Sequence, residues 1–436
     1  MSLGWRYRAA MLRLRCAVAV ARLARFASRL IGRGGTALPG LVALRIDPAV
    51  IEKLVASIPD GVVVVTGTNG KTTTSKMIAT MLAGSGRTVL ANRTGSNLAR
   101  GVAAALVGAA RRGKVAADIA VFEIDEAAVR HLGPRLRPRV IVVTNLARDQ
   151  LDRYGELETT ARHVAAAVAA SGVAVLAADD PIVARLGEGR GTGAVWFGGM
   201  PAVRAAMPDD RALYGHGEPS FGGRPDAVLC ETTPDGDGQV VRMDIDSREV
   251  TARLQVPGVY NAYNAAAALL TVAQLGIDPI AAAAHLAEMP AAFGRGQIVE
   301  YRGRRVRVVL VKNPAGLNQA IGLLRAEAGA CPVLVAINDN HADGRDVSWL
   351  WDATVETLAD TPHRFGAGGI RAADMALRFK YAGIRAWIEA DDRRALDRLV
   401  DDAPSGATVY LIPTYTALLS YLEILLPGKR PEEVWS

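Results

Sequence analysis

Short apolar runs alternate with alanine-rich stretches along the first part of the chain. The runs are rich in Val, Ile and Leu and cover residues 62–65, 88–92, 119–123, 140–144 and 173–177. The stretches between them have the composition and length of helices. This alternation predicts an α/β fold with a mostly parallel, doubly wound sheet. In such sheets ligands bind beyond the carboxyl ends of the strands.

A second alternating series begins near residue 297. Its predicted strands cover residues 298–301, 305–311, 333–337, 384–388 and 409–412, and its predicted helices cover residues 316–326, 393–400 and the C-terminal stretch. A chain of 436 residues is too long for one core. We therefore predict a central domain over residues 51–296 and a C-terminal Rossmann-like α/β domain over residues 297–436.

Two segments depart from this alternation. Residues 185–250 are rich in Gly, Pro and Asp and hold short β-like runs at 227–230 and 240–245, which predict an antiparallel elaboration or flap of the central domain. Residues 1–50 are predicted to form a basic helix and a linker. The helix, over residues 5–31, carries an apolar face surrounded by Arg6, Arg8, Arg13, Arg15, Arg22, Arg25 and Arg29.

Two interpretations of this basic amphipathic helix stay open. Its apolar face can pack on the body of the protein, or the helix can lie on an anionic membrane surface. We favour docking on the fold, because an apolar helical face usually contacts a core. The membrane alternative would give the protein a peripheral position at the inner face of the membrane.

Composition narrows the class of protein. The formal net charge is +7, but aromatic residues make up only 5% of the chain, too few for the stacking platforms of single-strand-binding proteins. We therefore expect no nucleic-acid partner. The cysteines Cys16, Cys230 and Cys331 are widely separated, which argues against a disulfide framework or a zinc cluster. This cysteine usage fits a reducing compartment, so we predict a cytoplasmic protein. No uncharged run is long enough to span a membrane.

The first predicted strand leads into a glycine turn that carries the clearest chemical signal. The turn and the start of the following helix consist of Gly67, Thr68, Asn69, Gly70, Lys71, Thr72 and Thr73. The glycines let backbone N–H groups approach phosphate oxygens, Lys71 brings positive charge to the β- and γ-phosphates, and the Thr72 hydroxyl can bind Mg²⁺. The alternative is an ordinary strand–turn–helix in which the Gly-Lys-Thr triplet occurs by chance. We favour a phosphate site, because the strand, the glycine turn and the helix all occur together in the expected order.

Polar residues at other element ends are candidates for the same site. Glu123 directly follows a predicted buried strand, where a carboxylate is unfavourable without a cation or partner, so we predict that it binds Mg²⁺. Asp149 and Asp152 follow the next strand, and helix capping explains Asp152 equally well. Asn261 lies near a helix start and Arg295 in a glycine-rich loop. Their side chains can bind a ligand, or they can cap the helix and stay solvated.

The strand predicted over residues 333–337 opens into a loop with unusual chemistry. Residues 338–352 contain four aspartates, one histidine and two tryptophans. Both the loop position and the side chains favour a functional role. A metal site is unconvincing, because one histidine with scattered aspartates lacks a recognisable ligand spacing.

Together these motifs resemble the ATP-binding central domain of the Mur ligase family. The matching segments are residues 66–74, 144–149, 178–181, 258–264 and 293–295, in the same order as in that family. More narrowly, the chain is similar to the MurT family, the ligase-like subunits of lipid II isoglutaminyl synthases. This similarity rests on residues 35–40, 92–97, 122–126, 148–155, 312–318, 342–352 and 413–416. It covers the chain from about residue 35 to near the C-terminus.

The resemblance implies a Mur ligase-like P-loop domain and a concrete reaction in peptidoglycan synthesis. ATP would phosphorylate the α-carboxylate of the D-Glu residue of lipid II, and ammonia from a GatD-like glutaminase partner would convert the acyl phosphate to D-isoglutamine. Lys71 and Mg²⁺ would neutralise the transferred phosphoryl group, while Asn261 and Arg295 would contact the nucleotide. In this family an aspartate of the C-terminal domain completes the partner's Cys–His pair. Asp352 is the first candidate and Asp346 the second.

The chain departs from ordinary Mur ligases at several positions. Gln150 stands where they have histidine, and residues 309–314 replace their D-Y-A-H-N-P loop, both of which suit the MurT branch. No lysine occurs between Lys114 and Lys312, so the carbamylated lysine of many Mur ligases has no counterpart in the central domain. The flap offers only Cys230 in place of the four-cysteine zinc ribbon usual in MurT. We therefore expect no structural zinc.

Two alternative functions compete with this one. The first is an autonomous Mur-type or folylpolyglutamate-type ligase that adds an amino acid. The stretch before the phosphate-binding strand argues against a Mur enzyme of that sort, because about sixty residues are too few for the usual UDP-binding domain. The second is a non-catalytic nucleotide-binding subunit that recruits a partner to the membrane. The intact set of Lys71, Thr72 and Glu123 argues against that subunit.

Overall fold

The architecture comes from a computed structural model of the chain. The structure describes residues 3–30, 37–92, 96–147, 157–207, 221–290, 294–327, 329–403 and 407–429. Asp149, Gln150 and Asp152 lie outside these residues. Within them, the fold consists of an N-terminal helical layer and two α/β units, each built on its own sheet.

The N-terminal layer contains three helices, α1 (Leu3–Leu30), α2 (Leu38–Ile46) and α3 (Val50–Val55). α1 docks on the body through Leu14, Ala17, Val18 and Ala21, which are buried and recur at helical spacing. The segment predicted as a linker contains α2, which packs closely on α5 (Ala99–Ala109) of the first α/β unit. A Cβ added to Gly40 of α2 would lie 1.8 Å from the carbonyl oxygen of Arg100.

The first sheet has nine strands in the order β11-β10-β9-β8-β7-β6-β1-β5-β2. Pairing is parallel from β2 to β9 and antiparallel for β9–β10 and β10–β11. The strands are β1 (Val62–Thr66), β2 (Val89–Ala91), β5 (Ile119–Glu123), β6 (Val140–Val143), β7 (Val173–Ala177), β8 (Ala194–Gly199), β9 (Ala227–Asp235), β10 (Gly238–Ile245) and β11 (Arg248–Leu254). A small hairpin joins β3 (Ala110–Arg111) to β4 (Lys114–Val115).

Helices alternate with these strands. They are α4 (Lys71–Gly84), α5 (Ala99–Ala109), α6 (Glu126–Leu136), α7 (Leu157–Ala169), α8 (Pro181–Arg185), α9 (Pro201–Ala205), α10 (Val259–Gln274) and α11 (Pro279–Ala284). Every residue of β1, β5 and β6 is buried, as is usual for parallel strands covered on both faces. The long α10 packs against α4, which begins at the phosphate loop.

The predicted flap is part of the main sheet. β9, β10 and β11 do form the expected antiparallel meander, but β8 pairs with β9 in parallel and so joins the meander to the central strands. Alternate residues of β11, namely Val250, Ala252 and Leu254, are buried. This one-sided burial holds the meander on the core as an extension of the sheet.

The second sheet has six strands in the order β12-β13-β17-β14-β15-β16, parallel except for the β12–β13 hairpin. The strands are β12 (Arg295–Tyr301), β13 (Arg304–Val309), β14 (Pro332–Ala336), β15 (Arg364–Gly368), β16 (Ala386–Ile388) and β17 (Thr408–Pro413). The helices are α12 (Pro314–Ala326), α13 (Ala372–Tyr381), α14 (Asp392–Asp401) and α15 (Tyr415–Leu425). The predicted α/β class with two such units is confirmed.

Sequence reasoning missed β15 and α13. β15 reads Arg-Phe-Gly-Ala-Gly, and two glycines in five residues resemble a turn. Gly366 is needed there because a Cβ would lie 2.3 Å from the indole of Trp387 on the neighbouring strand. Among the described residues, the structure contains no helix with the length and apolar character needed to cross a bilayer.

Candidate active site

The phosphate loop lies at the carboxyl end of β1. Gly67 and Gly70 have φ angles of +127° and +85°, a region that favours glycine. The loop is also crowded, since a Cβ on Gly67 would lie 2.3 Å from Thr144 Oγ1 and a Cβ on Gly70 would lie 2.3 Å from Asn264 Oδ1. Both glycines are therefore required by the backbone path and by their neighbours.

The segment after β6 holds this loop in place. The Asn69 amide donates to Asn145 Oδ1 at 2.9 Å, and the Thr144 hydroxyl donates to the Asn69 carbonyl at 2.6 Å. The Ala147 amide donates to Thr68 Oγ1 at 3.0 Å. These bonds give Thr144 and Asn145 a positioning role. The backbone of the loop is thus fixed before any ligand arrives.

Lys71 is the first residue of α4, and its ammonium group is turned toward the loop. Lys71 Nζ donates to the Gly67 carbonyl at 2.6 Å and to Glu126 Oε2 at 3.1 Å, and it lies 3.8 Å from Asp125 Oδ1. Lys71 and Glu126 are only 7% and 2% exposed. A buried ion pair therefore anchors the lysine at the mouth of the loop.

Thr72, the residue after Lys71, contacts Glu123. The Thr72 hydroxyl donates to Glu123 Oε1 at 3.1 Å, and Asn97 Nδ2 donates to the same oxygen at 2.8 Å. Burial raises the pKa of the Glu123 carboxyl, and the positive charges of Lys71 and Arg295 oppose that rise. The two hydrogen-bond donors and the nearby positive charges therefore do not fully offset burial, and the ionised form of Glu123 stays unfavourable.

This pair fits a magnesium ion. A hydroxyl and a carboxylate are hard oxygen donors, and Mg²⁺ in phosphate sites commonly takes one or two protein ligands together with phosphate and water. Bound cation charge would also relieve the desolvation of Glu123. Three or more His, Cys, Asp or Glu side chains do not converge into a metal-binding group anywhere in the described ranges.

Asparagines of α10 form the wall opposite α4. The Thr74 hydroxyl donates to Asn264 Oδ1 at 3.3 Å, Asn264 Nδ2 donates to Asn261 Oδ1 at 3.3 Å, and Asn261 Nδ2 donates to the Pro257 carbonyl at 2.7 Å. Asn261 and Asn264 are both buried. This chain of amides ties the start of α10 to the phosphate loop.

A cleft opens between the phosphate loop and the second α/β unit. The first unit lines it with Asn69, Gly70, Thr73, Tyr260, Asn261 and Asn264, and the second with Gly294, Arg295, Val309, Leu310, Lys312, Gly316 and Gln319. Burial lowers the pKa of the Arg295 guanidinium, while the neighbouring Glu123 and Tyr260 raise it. The first unit therefore lines the cleft with polar groups, and the second unit adds the positively charged Arg295 and Lys312.

The structure thus brings the predicted nucleotide-binding residues together. Asn69, Gly70, Thr73, Asn261 and Arg295 line the cleft directly. The sequence assigns no role to Tyr260, although it lies within the matching segment 258–264, or to Gln319, which no motif marks. Sequence reasoning also missed a link between the two units, in which Asn313 Nδ2 donates to Asn69 Oδ1 at 3.3 Å. Asn313 also caps α12 by accepting from the Gly316 amide.

Asp346 and Asp352 lie on the loop after β14, and neither lines the cleft. Asp346 Oδ1 accepts from the Ser348 amide at 2.8 Å, which begins the short 3₁₀ helix Ser348–Trp351. Asp352 follows that helix, and its side chain is exposed. Of the two aspartates, Asp352 has the carboxylate that is not engaged in a local turn.

Two exposed aromatic side chains lie beside Asp352: Trp351, which precedes it in sequence, and Tyr381 of α13, whose ring contacts that of Trp351. Trp351 is 50% exposed and Tyr381 is 71% exposed, and their rings meet edge to face at 5.4 Å. Ile370 and Leu377 are also exposed, at 62% and 46%. We call Trp351 and Tyr381 the aromatic patch. Clusters of exposed aromatic and aliphatic side chains are typical of protein interfaces.

Two family models match the chain. The Mur ligase middle domain matches residues 65–272, and the MurT ligase C-terminal domain matches residues 310–418. These two matches cover the first sheet with its phosphate loop and most of the second sheet with its aspartate loop.

Whole-length relatives agree. The MurT subunit of lipid II isoglutaminyl synthase (glutamine-hydrolyzing) from Staphylococcus aureus (strain N315) is 31% identical, over 94% of this chain and 97% of its own length. The MurT subunit from Streptococcus pneumoniae (strain ATCC BAA-255 / R6) is 30% identical, over 93% and 95%. The fold is similar to MurF ligase from Thermotoga maritima in complex with ADP, with a TM-score of 0.66 and 17% identity, over 90% and 84% of the two chains. The chain therefore belongs to the MurT family of Mur ligase-like enzymes.

Proposed function

We propose that this chain is the ATP-dependent amidating subunit of a lipid II isoglutaminyl synthase. The observation that carries the proposal is the convergence of Lys71, Thr72 and Glu123 beside a cleft that Arg295 and Lys312 close from the second unit. That arrangement suits the activation of a carboxylate by ATP. The proposed substrate, lipid II, is taken from the names of the two MurT relatives, which match this chain along almost their whole length.

Nucleotide phosphates would bind at the amino end of α4. The backbone N–H groups of Gly67, Thr68, Asn69 and Gly70 would face the phosphate oxygens, with Thr72 and Thr73 in the first turn of the helix. Lys71 would exchange its bond to the Gly67 carbonyl for the β- and γ-phosphates, a change that needs only side-chain rotation. Asn261 and Arg295 line the cleft where the rest of the nucleotide would lie.

Thr72 and Glu123 would hold Mg²⁺, with phosphate oxygens and water completing the shell. When bound, the ion would offset negative charge on the phosphates during transfer. Glu123 is kept in place by Asn97, which donates to it at 2.8 Å. Asn97 is therefore a positioning residue for this ligand pair.

The reaction would proceed in two balanced steps. An α-carboxylate oxygen of D-Glu attacks the γ-phosphorus, the bond to the β-phosphate oxygen breaks, and ADP leaves. Ammonia then attacks the acyl carbon, the bond to the phosphate oxygen breaks, and one ammonia proton passes to the leaving phosphate, so that the acyl phosphate becomes an amide. Lys71 and Arg295 carry the positive charges that would stabilise the phosphoryl group as it moves.

Ammonia would come from a GatD-like glutaminase partner that binds at the aromatic patch. Asp352 would lie in that interface and orient the histidine of the partner's Cys–His pair. Asp346 is the second candidate, and its bond to the Ser348 amide disfavours it. A substrate with a lipid anchor would hold the complex at the cytoplasmic face of a membrane.

The test is reconstitution. The chain is co-expressed with a GatD-like glutaminase, and lipid II is analysed by mass spectrometry after incubation with ATP, Mg²⁺ and glutamine. We expect the small mass decrease that accompanies conversion of one carboxylate to an amide, together with release of ADP. Unchanged lipid II in the presence of a folded complex would contradict the proposal.

The same assay distinguishes the amidating subunit from an autonomous amino acid ligase. With ammonium chloride in place of glutamine, the chain alone should still amidate lipid II, because the partner supplies only ammonia. Addition of an amino acid to the substrate, detected as a mass increase, would instead indicate a Mur-type or folylpolyglutamate-type ligase.

A further inference from the structure

The N-terminal helix α1 has two apolar faces, and only one is docked. Leu14, Ala17, Val18 and Ala21 are buried against the body. The opposite side presents what we call the outer stripe, which consists of Leu12, Cys16, Ala19, Val20, Leu23 and Phe26. At about 100° per residue the outer stripe spans roughly 120° of the helix surface. All six of these side chains are exposed.

The degree of exposure is high. Leu12, Leu23 and Phe26 are 64%, 68% and 64% exposed, and Val20 is 44% exposed. They make up four of the thirteen exposed large apolar side chains in the described part of the chain. A contiguous patch of this kind marks a binding surface, whereas isolated exposed apolar residues need no explanation.

The charge around the outer stripe is of one sign. Residues 1–46 contain nine arginines and no acidic residue, while residues 47–436 contain 42 basic and 44 acidic residues. The positive net charge of the chain therefore resides in this segment. Arg13 donates to the Ile46 carbonyl at 2.6 Å, and Arg22 donates to the Ala110 carbonyl. A carbonyl oxygen carries no net charge, so these hydrogen bonds orient the two guanidinium groups without neutralising them. Arg15 on the same helix is exposed.

We propose that α1 binds the surface of an anionic lipid bilayer. The outer stripe would insert at the boundary between headgroups and acyl chains, and the flanking arginines would contact lipid phosphates. The helix would lie in the membrane plane, since its docked face stays on the protein. The choice of a membrane over a protein rests on the proposed function, because a lipid-anchored substrate remains at a membrane surface.

The charge distribution also favours lipid over a protein groove. An apolar groove would match the outer stripe, but it gives no reason for an extended helix without a single acidic residue. An anionic surface attracts every basic side chain near it, and each contributes about fivefold to affinity. Apolar insertion and charge attraction together give the two signals that stable peripheral binding requires.

The experiment is vesicle co-sedimentation of the full chain, in complex with its glutaminase partner. We compare vesicles of phosphatidylcholine alone with vesicles that also contain phosphatidylglycerol. The double variant Leu23→Asp and Phe26→Asp alters the exposed face only, so the fold should persist. Ile280→Asp, at a 46% exposed position of α11, is the matched control for adding a surface charge.

We expect the wild type and Ile280→Asp to bind the anionic vesicles and the double variant to bind at least tenfold more weakly. Arg15→Glu should weaken binding by more than fivefold, and high salt should weaken the wild type in the same way. Circular dichroism and thermal unfolding confirm that each variant is folded.

Several results would overturn the proposal. These are no binding by the wild type, equal binding to neutral vesicles, or equal binding by the double variant. A self-association in solution that the double variant abolishes would assign the outer stripe to a second copy of the chain instead. The vesicles contain no lipid II, so vesicle binding and amidation are independent measurements. Loss of vesicle binding with normal amidation of a water-soluble lipid II fragment would reject only the membrane role of α1. Vesicle binding without amidation would reject only the proposed reaction.

Discussion

The Thr72 hydroxyl donates a hydrogen bond to Glu123 Oε1 at 3.1 Å, which joins the first turn of α4 to the carboxyl end of β5. β1 and β5 are neighbours in register, with Val65 beside Glu123, so the sheet itself sets this spacing. Asn97 adds a second donor to the same oxygen. The two side chains that we propose as magnesium ligands thus lie on two rigid elements and do not depend on a mobile loop.

The variant Glu123→Gln should separate the proposed role of Glu123 as a magnesium ligand from its role in the fold. Burial raises the pKa of Glu123, so the folded protein loses stability as pH rises from the ordinary glutamate value through the raised one. Above that range the ionised side chain opposes folding. A glutamine oxygen can still accept from Thr72 and Asn97.

Without Mg²⁺ at pH 8, the melting temperature of Glu123→Gln should therefore equal or exceed that of the wild type. Its amidation rate should fall by roughly 100-fold, because removal of a carboxylate ligand costs about 3 kcal/mol of transition-state stabilisation. Differential scanning fluorimetry and the mass-spectrometric assay measure the two effects. Glu158→Gln, at an exposed position of α7, is the control and should change neither. A large loss of stability in metal-free Glu123→Gln would contradict this account.

Lys71 and Glu126 form a buried pair at 3.1 Å, so removing the lysine alone should be damaging. Lys71→Met leaves a carboxylate that is 2% exposed without its cation. We expect a loss of about 3–5 kcal/mol in the free energy of unfolding. The double variant Lys71→Met and Glu126→Gln should recover much of that loss, yet it should remain inactive because the phosphates lose their lysine. Urea titration and ADP release provide the readouts, and full activity in the double variant would exclude Lys71 from the reaction.

Asp352 and Asp346 can be distinguished by paired variants of the complex. Asp352→Asn should abolish glutamine hydrolysis and leave nucleotide binding intact, because Asp352 lies outside the cleft. Its exposed side chain predicts a change in the free energy of unfolding within about 0.5 kcal/mol. Asp346→Asn keeps an oxygen for the Ser348 amide and should retain hydrolysis. With ammonium chloride supplied, Asp352→Asn should amidate lipid II normally, and failure there would show a defect other than ammonia supply.

Sequence reasoning predicted the parts of the fold that repeat a simple pattern. The buried valines of β1, the glycine turn and the start of α4 are encoded by adjacent residues, so local rules identify them. The meander over β9–β11 was also recognised as antiparallel. Its attachment was not, because the parallel β8–β9 pair joins strands that are far apart in sequence, and no local pattern encodes that pairing.

The candidate site shows the same division. The phosphate loop and Glu123 follow from strand ends and glycine positions. The partners that fix them do not, because Asn97, Glu126 and Asn313 reach the loop only through the folded chain. Tyr260 and Gln319 line the cleft for the same reason. Ordinary helix residues become site residues when a second unit packs opposite them.

Asp180 offers a test of how the loop is braced. It lies at the amino end of α8 and is 4% exposed. Its Oδ1 accepts from the amides of Ile182 and Val183 at 2.9 Å each, and its Oδ2 accepts from the Leu146 amide at 2.7 Å. Leu146 precedes Ala147, whose amide bonds Thr68 of the phosphate loop. Asp180 therefore connects α8 to the segment that supports the loop.

Burial raises the pKa of Asp180 to about 6, although three backbone amides lower it. The folded state then holds this proton more tightly than the unfolded state, whose carboxyl titrates near 3.9. Stability from this group is consequently full below about pH 4 and is lost as pH rises to about 6, an effect of about 3 kcal/mol. Above that range its contribution is constant.

Asp180→Asn lacks the titration, so the difference in unfolding free energy between wild type and variant should depend on pH. The variant also places an amide donor near the Leu146 N–H, which costs about 1–3 kcal/mol at every pH and shifts the whole curve without changing its slope. Urea titrations between about pH 4 and pH 8 should show the wild type losing its advantage as pH rises to about 6 and then a constant difference. A difference that stays constant from about pH 4 onward would mean that Asp180 is ionised throughout, and that its three amide bonds outweigh burial.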